Sequence, residues 1–108
     1  MAYNKISGQI TVTTAGTAVA GPDTSAFGKR TYSIEMVPTN SGTYGYVGND
    51  GANDVASTTG YIITKAGVPL ILVSDNLAKV YFDTDTNGDK FAWVAVESEG
   101  QSISPSVN

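Results

Sequence analysis

The aspartate-rich segment 83–89 comes closer than any other part of this chain to a metal-binding or reactive arrangement. Side-chain oxygens recur in it at alternate positions, at Asp83, Asp85, Asn87 and Asp89. Together with Gly88, this spacing matches the opening of a calcium-binding loop, in which oxygen ligands alternate and a glycine makes the bend. The twelfth position, where a bidentate glutamate closes the coordination sphere, is Val94. A weak calcium site therefore stays an alternative, and we expect no other cofactor.

The preferred interpretation of this segment is a β-hairpin. Asn87-Gly88 favours a two-residue type I′ turn, whose central residues both need a positive φ. Counting outward from this turn pairs Asp85 with Lys90 and Phe82 with Trp93. Alternation then gives one apolar and one charged face. The apolar face comprises Val80, Phe82, Phe91, Trp93 and Ala95, and the other Lys79, Tyr81, Asp83, Asp85 and Lys90.

The composition argues against an enzyme. The chain has no histidine and no cysteine, so a serine or threonine nucleophile has no imidazole base beside it. The glycines lack the spacing of a phosphate-binding loop. Paired carboxylates can hydrolyse glycosides, but only at a set separation across a cleft, and nothing in the sequence selects such a pair.

A second cluster of polar residues lies in the predicted long loop Gly48–Gly60, with tyrosines in the strand before it. The candidate binding residues, for a protein interface or a glycan, are Tyr44, Tyr46, Asn49, Asp50, Asn53 and Asp54. Amides, carboxylates and aromatic rings are the groups that bind sugar hydroxyls and sugar faces. The competing interpretation is structural, because Asn and Asp often bond to their own backbone in turns and tyrosines pack in sheets.

The chain reads as a single all-β domain. Short segments rich in Val, Ile, Thr and Tyr alternate with turn residues, and eight strands are predicted. The predicted strands are Ile6–Thr14, Thr17–Ala20, Arg30–Pro38, Tyr44–Gly48, Gly60–Thr64, Val68–Ser74, Leu77–Asp83 and Lys90–Glu97. Eight strands in 108 residues predict an antiparallel β-sandwich, jelly-roll or immunoglobulin-like, over residues 1–97. Residues 98–108 are predicted to be a polar C-terminal tail that leaves the core.

The charge balance narrows the choice of partners. A net charge of −4 and a pI near 4.4 disfavour nucleic acid and anionic membranes, which both attract clustered Lys and Arg. No apolar run approaches the roughly 18 residues of a membrane span. The start of the chain lacks the core of a signal peptide, so we expect a soluble product that is not exported by a cleaved signal.

The order of several short motifs resembles small structural proteins of tailed bacteriophages. The motifs are Val47-Gly-Asn-Asp-Gly51, Ser57-Thr-Thr-Gly-Tyr61, Lys65-Ala-Gly-Val-Pro69, Asp75-Asn-Leu-Ala-Lys-Val-Tyr81, Asn87-Gly-Asp89 and Phe91-Ala-Trp-Val-Ala-Val96. The opening Ile10-Thr-Val-Thr-Thr-Ala-Gly-Thr-Ala-Val19 looks like the start of the same group. The likeness spans residues 6 to 96, and the tail after Val96 departs from it. Each motif is a common strand or turn sequence, so the resemblance rests on their order and spacing.

The resemblance implies a virion component with no catalytic residue. Its members include capsid decoration (cement) proteins and parts of head and tail fibres. We therefore expect a decoration subunit on the capsid surface that binds the major capsid protein and stabilises the head. A homo-oligomer, most simply a trimer, is expected because symmetric contacts cover edge strands. The alternative is a host-glycan or receptor-binding module of a fibre or spike.

Overall fold

In the part of the chain that the structure describes, eight antiparallel strands form two four-stranded sheets that face each other. The computed structural model describes residues 6–51, 53–56 and 58–98. The strands are β1 (Ser7–Thr11), β2 (Val19–Ala20), β3 (Arg30–Met36), β4 (Tyr44–Gly48), β5 (Tyr61–Thr64), β6 (Leu70–Ser74), β7 (Tyr81–Thr84) and β8 (Lys90–Ser98). The helical elements among the described residues are two 3₁₀ turns, Ser25–Phe27 and Leu77–Lys79. The predicted all-β sandwich is confirmed.

The strand order is that of a jelly roll. The first sheet has the order β1-β8-β3-β6 and the second the order β2-β7-β4-β5. Each strand of the first half of the chain therefore pairs with one of the second half, β1 with β8, β2 with β7, β3 with β6 and β4 with β5. This pairing arises when a long antiparallel ribbon is rolled up. Consecutive strands then lie in opposite sheets, except for β4 and β5, which are joined at the tip of the ribbon. The immunoglobulin-like alternative has a different order.

The core between the sheets is built from alternate residues of the strands. In the first sheet, the inward side chains include Tyr32, Phe91 and Trp93, all buried. The ring centroids of Phe82, from the second sheet, and Phe91 lie 5.0 Å apart. A Cβ atom on Gly45 of β4 would lie 2.6 Å from the Phe91 ring, so only glycine allows this close approach. Aromatic packing of this kind holds the two sheets together.

The predicted hairpin of the last two strands is wrong. β7 belongs to the second sheet, between β2 and β4, and β8 belongs to the first, between β1 and β3. Phe82 lies opposite Val19 and Val47, not opposite Trp93. A turn does occur, since Asp89 N donates to Thr86 O at 3.3 Å, but only its Gly88 has a positive φ. Type I′ geometry also needs a positive φ at the preceding asparagine, so this turn is of another type. It connects β7 of the second sheet to β8 of the first.

The predicted faces of that hairpin are partly correct. All five residues of the predicted apolar face lie in the core or pack against it, because the inner faces of both sheets point to the same interior. Asp83 lies on the outer side, opposite Tyr46, as the predicted charged face has it, but it is buried, and so is Asp89 of the intervening turn. Both carboxylates accept hydrogen bonds from backbone N–H groups.

The ends of the predicted domain are only partly described. β8 ends at Ser98, so the predicted boundary between residues 97 and 98 lies one residue inside this strand. The rest of the predicted polar tail, residues 99–108, lies outside the described residues. Within the described part of the chain, no helix is long and apolar enough to cross a membrane.

Candidate functional site

Asp83 and Asn87, two of the predicted calcium ligands, hold the connection between β1 and β2. Asp83 Oδ1 accepts a hydrogen bond from Gly16 N at 3.0 Å. Asn87 Oδ1 accepts one from Ala15 N at 2.8 Å. Both side chains therefore accept hydrogen bonds from backbone N–H groups of a turn that is distant in sequence.

Asp89 holds the connection between β3 and β4. Its two carboxylate oxygens accept hydrogen bonds from Ser41 N at 3.0 Å and Gly42 N at 2.9 Å. A buried carboxylate needs such donors, because an ion removed from water without partners is strongly unfavourable. Asp89 thus has a structural reason for its burial.

The predicted calcium ligands do not form a cluster. Asp83 and Asn87 bind the backbone of the β1–β2 connection, Asp89 binds that of the β3–β4 connection, and Asp85 accepts a hydrogen bond from the Tyr46 hydroxyl at 2.8 Å. Among the residues that the structure describes, no group of three or more His, Cys, Asp or Glu side chains could hold a metal ion. The four side chains that alternate as in a calcium loop therefore accept hydrogen bonds from four different parts of the protein's own hydrogen-bonding groups: Gly16 N, the Tyr46 hydroxyl, Ala15 N, and the Ser41 and Gly42 N–H pair.

We expect calcium to leave the stability of the protein unchanged. Each of the four predicted ligands in segment 83–89 accepts at least one internal hydrogen bond, so coordinating an ion would compete with native hydrogen bonds. Thermal melts with excess CaCl₂ and with a chelator should superimpose, and calorimetric titration should give no heat of binding. A heat that disappears in Asp85→Asn would contradict this expectation.

The loop between β4 and β5 is held by its own polar groups. Asp54 accepts hydrogen bonds from Asn49 N at 3.1 Å and Asp50 N at 2.7 Å. Asn53 Nδ2 donates to Asp50 Oδ2 at 2.8 Å. Four of the six predicted binding residues therefore take part in a network that shapes the loop, as Asn and Asp commonly do in turns.

The same loop covers part of the outer surface of β4. A Cβ atom on Gly48 would overlap the Asp54 carboxylate and carbonyl, so the loop passes directly over the end of the strand. A Cβ atom on Gly60 would lie 3.1 Å from Tyr46 Cβ. Val55, within the loop, is also buried. The loop is thus packed against the second sheet.

The two predicted binding tyrosines of β4 differ in exposure. They are two residues apart on one strand and so share its outer face. Tyr46 is only 5% exposed, and its hydroxyl donates to Asp85, whereas Tyr44 is 48% exposed. Tyr44 is available for contacts, and Tyr46 has a structural position.

Burial raises the pKa of Tyr46 to about 12, and the hydrogen bond to Asp85 acts in the same direction. An unfolded tyrosine has a pKa of about 10, so above that pH the unfolded chain releases a proton that the folded chain retains. The contribution of Tyr46 to stability is therefore present below about pH 10 and is lost as the pH rises towards 12.

We expect the difference in unfolding free energy between the native protein and Tyr46→Phe to fall across this pH range. Denaturant unfolding at a series of alkaline pH values measures it. Tyr44→Phe serves as the matched control, because Tyr44 is half-exposed on the same strand. A difference for Tyr46→Phe that does not change with pH would contradict the assignment.

The outer face of the first sheet exposes aliphatic side chains. We call this surface the outer face; it comprises the outward residues of β1, β8, β3 and β6. Ile71 is 60% and Val73 is 52% exposed on β6, and Val96 is exposed on β8. Ile71 lies opposite Ser33, which lies opposite Val94. Small side chains therefore separate the aliphatic ones and leave the face open.

Sequence reasoning did not predict the outer face, although a signal was present. Leu70, Ile71, Leu72 and Val73 form an uninterrupted apolar run. A strand that faces water on one side normally alternates apolar and polar residues, and a continuous run indicates that both faces are covered. In the described part of the chain only the inner side of β6 packs against the core.

An apolar cleft opens between β5 and β6, the strands at one edge of the two sheets. Its volume is about 460 Å³. Apolar walls and a polar rim line it, with walls from Val47, Tyr61, Leu70, Leu72 and Val80 and a rim from Asn49, Asp54, Ser74 and Lys79. Of the predicted binding residues, Asn49 and Asp54 thus border the cleft, while Tyr44 lies on the outer surface of the second sheet.

Comparisons with known proteins identify no relative of this chain. No protein-family model, no curated protein and no solved structure matches it. The outer face and the cleft are therefore interpreted from their own chemistry. Both present apolar side chains at the surface, which bind by excluding water from contact with another apolar surface.

Proposed function

We propose that this protein is a structural virion protein, a capsid decoration subunit that binds the major capsid protein and stabilises the head from the capsid surface. The proposal follows the resemblance of its motifs to structural proteins of tailed phages. The observation that carries it is the outer face, where Ile71, Val73 and Val96 are exposed together. A decoration subunit needs such a surface and needs no catalytic group.

The charge distribution on the outer face supports a protein contact. Exposed apolar patches on soluble proteins mark interaction sites. Glu35 lies opposite Ala92, and Lys90 lies opposite Thr11, both towards the end of the sheet that is away from Val73. Ile71 and Val73 can thus be covered without burying Glu35 or Lys90. Glu97 lies in the row of Val73, since both are opposite Thr31, so a partner surface needs a polar or basic group at that position.

The jelly roll suits repeated attachment to a lattice. Jelly rolls occur in viral capsid proteins and lectins, although a fold by itself does not define a function. Aromatic packing joins the two sheets, so the subunit loses little conformational entropy when it binds. Weak contacts of single subunits add up when many copies are held on one particle.

We further propose that the subunit is a homo-oligomer and expect a trimer. In the described part of the chain, β1, β6, β2 and β5 lie at sheet edges. Exposed edges invite uncontrolled strand pairing, and closed symmetric assembly is one way to cover them. Native mass spectrometry and light scattering on the purified protein measure the number of subunits.

Co-sedimentation with capsids of the corresponding phage tests the main proposal. We expect the native protein to pellet with capsids in hundreds of copies per particle, and Ile71→Lys/Val73→Lys to stay in the supernatant. Val68→Lys is the matched control, because Val68 is 86% exposed in the connection before β6. Circular dichroism establishes that all variants are folded.

Two outcomes would oppose the proposal. Failure of the native protein to bind capsids would overturn decoration as the function. Binding that the paired lysine substitutions leave unchanged would overturn the role of the outer face. Cryo-electron microscopy of the decorated particle would locate the contact directly.

A second candidate function is recognition of a host glycan by a fibre or spike. The observation that favours it is the exposure of two aromatic rings of the second sheet, Tyr61 directly after the 49–60 loop and Tyr44 at the opposite end of β4, since exposed aromatic rings stack on sugars. A glycan array should then show binding that Tyr44→Ala and Asp50→Ala weaken. No binding by the native protein, or binding unchanged in both variants, would remove this candidate.

A further inference from the structure

The cleft between the sheets exposes side chains that have the position of core residues. Leu70 and Leu72 are inward residues of β6, yet both are only partly buried. Tyr61, at the start of β5, is 61% exposed. By contrast, Ile34 of β3 and Phe82 of β7, inward residues away from this edge, are fully buried. The cleft is thus a place where one more strand would complete the core.

The sequence of residues 103–107 has the pattern of such a strand. Ile103, Pro105 and Val107 alternate with serines. In an extended segment the three apolar side chains share one face and the serines share the other. We propose that residues 103–107 of the same chain bind along the free edge of β6, with the apolar face in the cleft and the serines towards solvent.

The end of β8 lies where such a segment would have to start. Ser98 is opposite Arg30, and Arg30 is opposite Ser74, which borders the cleft. A position beyond β6 is three strand spacings from β8, or about 14 Å. The linker 99–102 gives five Cα–Cα steps from Ser98 to Ile103, which span up to about 17 Å. The segment can therefore reach the edge of β6 in its own subunit.

A donor of Arg30 at this end of the sheet, unpaired among the described residues, favours this route for the linker 99–102. The Nε atom of Arg30 is buried without a hydrogen-bond partner in the described part of the chain. Glu99 follows Ser98 directly, so a linker that passes Arg30 brings a carboxylate to this unpaired donor. Arg30 itself is half-buried, with its guanidinium carbon 5.1 Å from the centre of the Phe27 ring, and a charge-assisted hydrogen bond from Nε to a carboxylate is stronger than a neutral one.

The proline fits an edge position. Proline has no N–H group and is accepted in sheets only at edges, with its nitrogen facing solvent. A segment with Pro105 at its centre would leave a new edge that resists addition of another strand. The free edge of β6 would be covered, and the sheet would end there.

Hydrogen exchange of the full-length chain tests the proposal. In Ile103→Ser/Val107→Ser we expect the amides of β6 to exchange about tenfold faster than in the native protein, because docking would protect them. Ser104→Ala/Ser106→Ala is the matched control, since it changes the opposite face of the same segment. Equal exchange of β6 in the native protein and Ile103→Ser/Val107→Ser would overturn the proposal.

A disulfide test separates binding within one chain from binding to a neighbour. The protein has no cysteine, so introduced pairs are unambiguous. If the segment pairs antiparallel to β6 with Pro105 opposite Leu72, Ser104 lies opposite Val73, at a separation that a disulfide can bridge. We expect Val73→Cys/Ser104→Cys to give a monomeric disulfide on oxidation, and Ser7→Cys/Ser104→Cys, with Ser7 on the far edge, to give none. A disulfide-linked dimer as the main product in dilute solution would overturn binding within the chain.

Discussion

Phe91→Ala is expected to lower the free energy of unfolding by about 3–5 kcal/mol. Phe91 is fully buried in β8 and contacts the ring of Phe82 across the two sheets, with 5.0 Å between the ring centroids. Gly45 of β4 lies directly against this ring and has no side chain that could move into the space left by it. The cost therefore includes both the lost apolar burial and a cavity that persists.

Chemical denaturation at equilibrium measures this loss. Val68→Ala is the matched control, since Val68 is mostly exposed and should change stability by less than about 0.5 kcal/mol. Phe91→Leu, which keeps most of the volume, should fall between the two. A loss below about 1 kcal/mol for Phe91→Ala would contradict the position given to this ring.

The strands and their inward residues could be predicted from the sequence, but their partners could not. Phe82, Phe91 and Trp93 point inward in the predicted hairpin and in the jelly roll alike, because alternation fixes the face of each residue and not the neighbouring strand. The Asn87-Gly88 pair suggested a local turn between paired strands. Pairing β1 with β8 joins residues at opposite ends of the chain, for which the sequence contains no local signal.

The polar residues follow the same division between local and distant contacts. Asp54 binds the backbone of Asn49 and Asp50, a few residues away, as the structural interpretation of that loop predicts. Asn87 binds Ala15, 72 positions earlier in the sequence, and Asp83 binds Gly16, 67 positions earlier. Nothing in the sequence indicates which distant N–H group such a side chain will bind. Without that information, the alternating Asp and Asn residues matched the spacing of a metal-binding loop.

Thr24→Val is expected to lower the free energy of unfolding by about 2–4 kcal/mol, although valine has nearly the same shape. Thr24 is fully buried, and its Oγ1 accepts hydrogen bonds from the Tyr32 hydroxyl at 2.8 Å and from Leu77 N at 2.8 Å. Valine fills the space but offers no acceptor, so two buried donors lose a partner at once. The hydroxyl joins the β2–β3 connection to the β6–β7 connection.

A double-mutant cycle with Tyr32→Phe separates the two hydrogen bonds. In the Tyr32→Phe background the tyrosine donor is already gone, so Thr24→Val leaves only Leu77 N unpaired and should cost at least about 1 kcal/mol less than in the native protein. Urea unfolding of the four proteins gives this coupling energy. Equal costs in both backgrounds would mean that the Tyr32 hydroxyl does not depend on Thr24, in contradiction to the geometry of this buried contact.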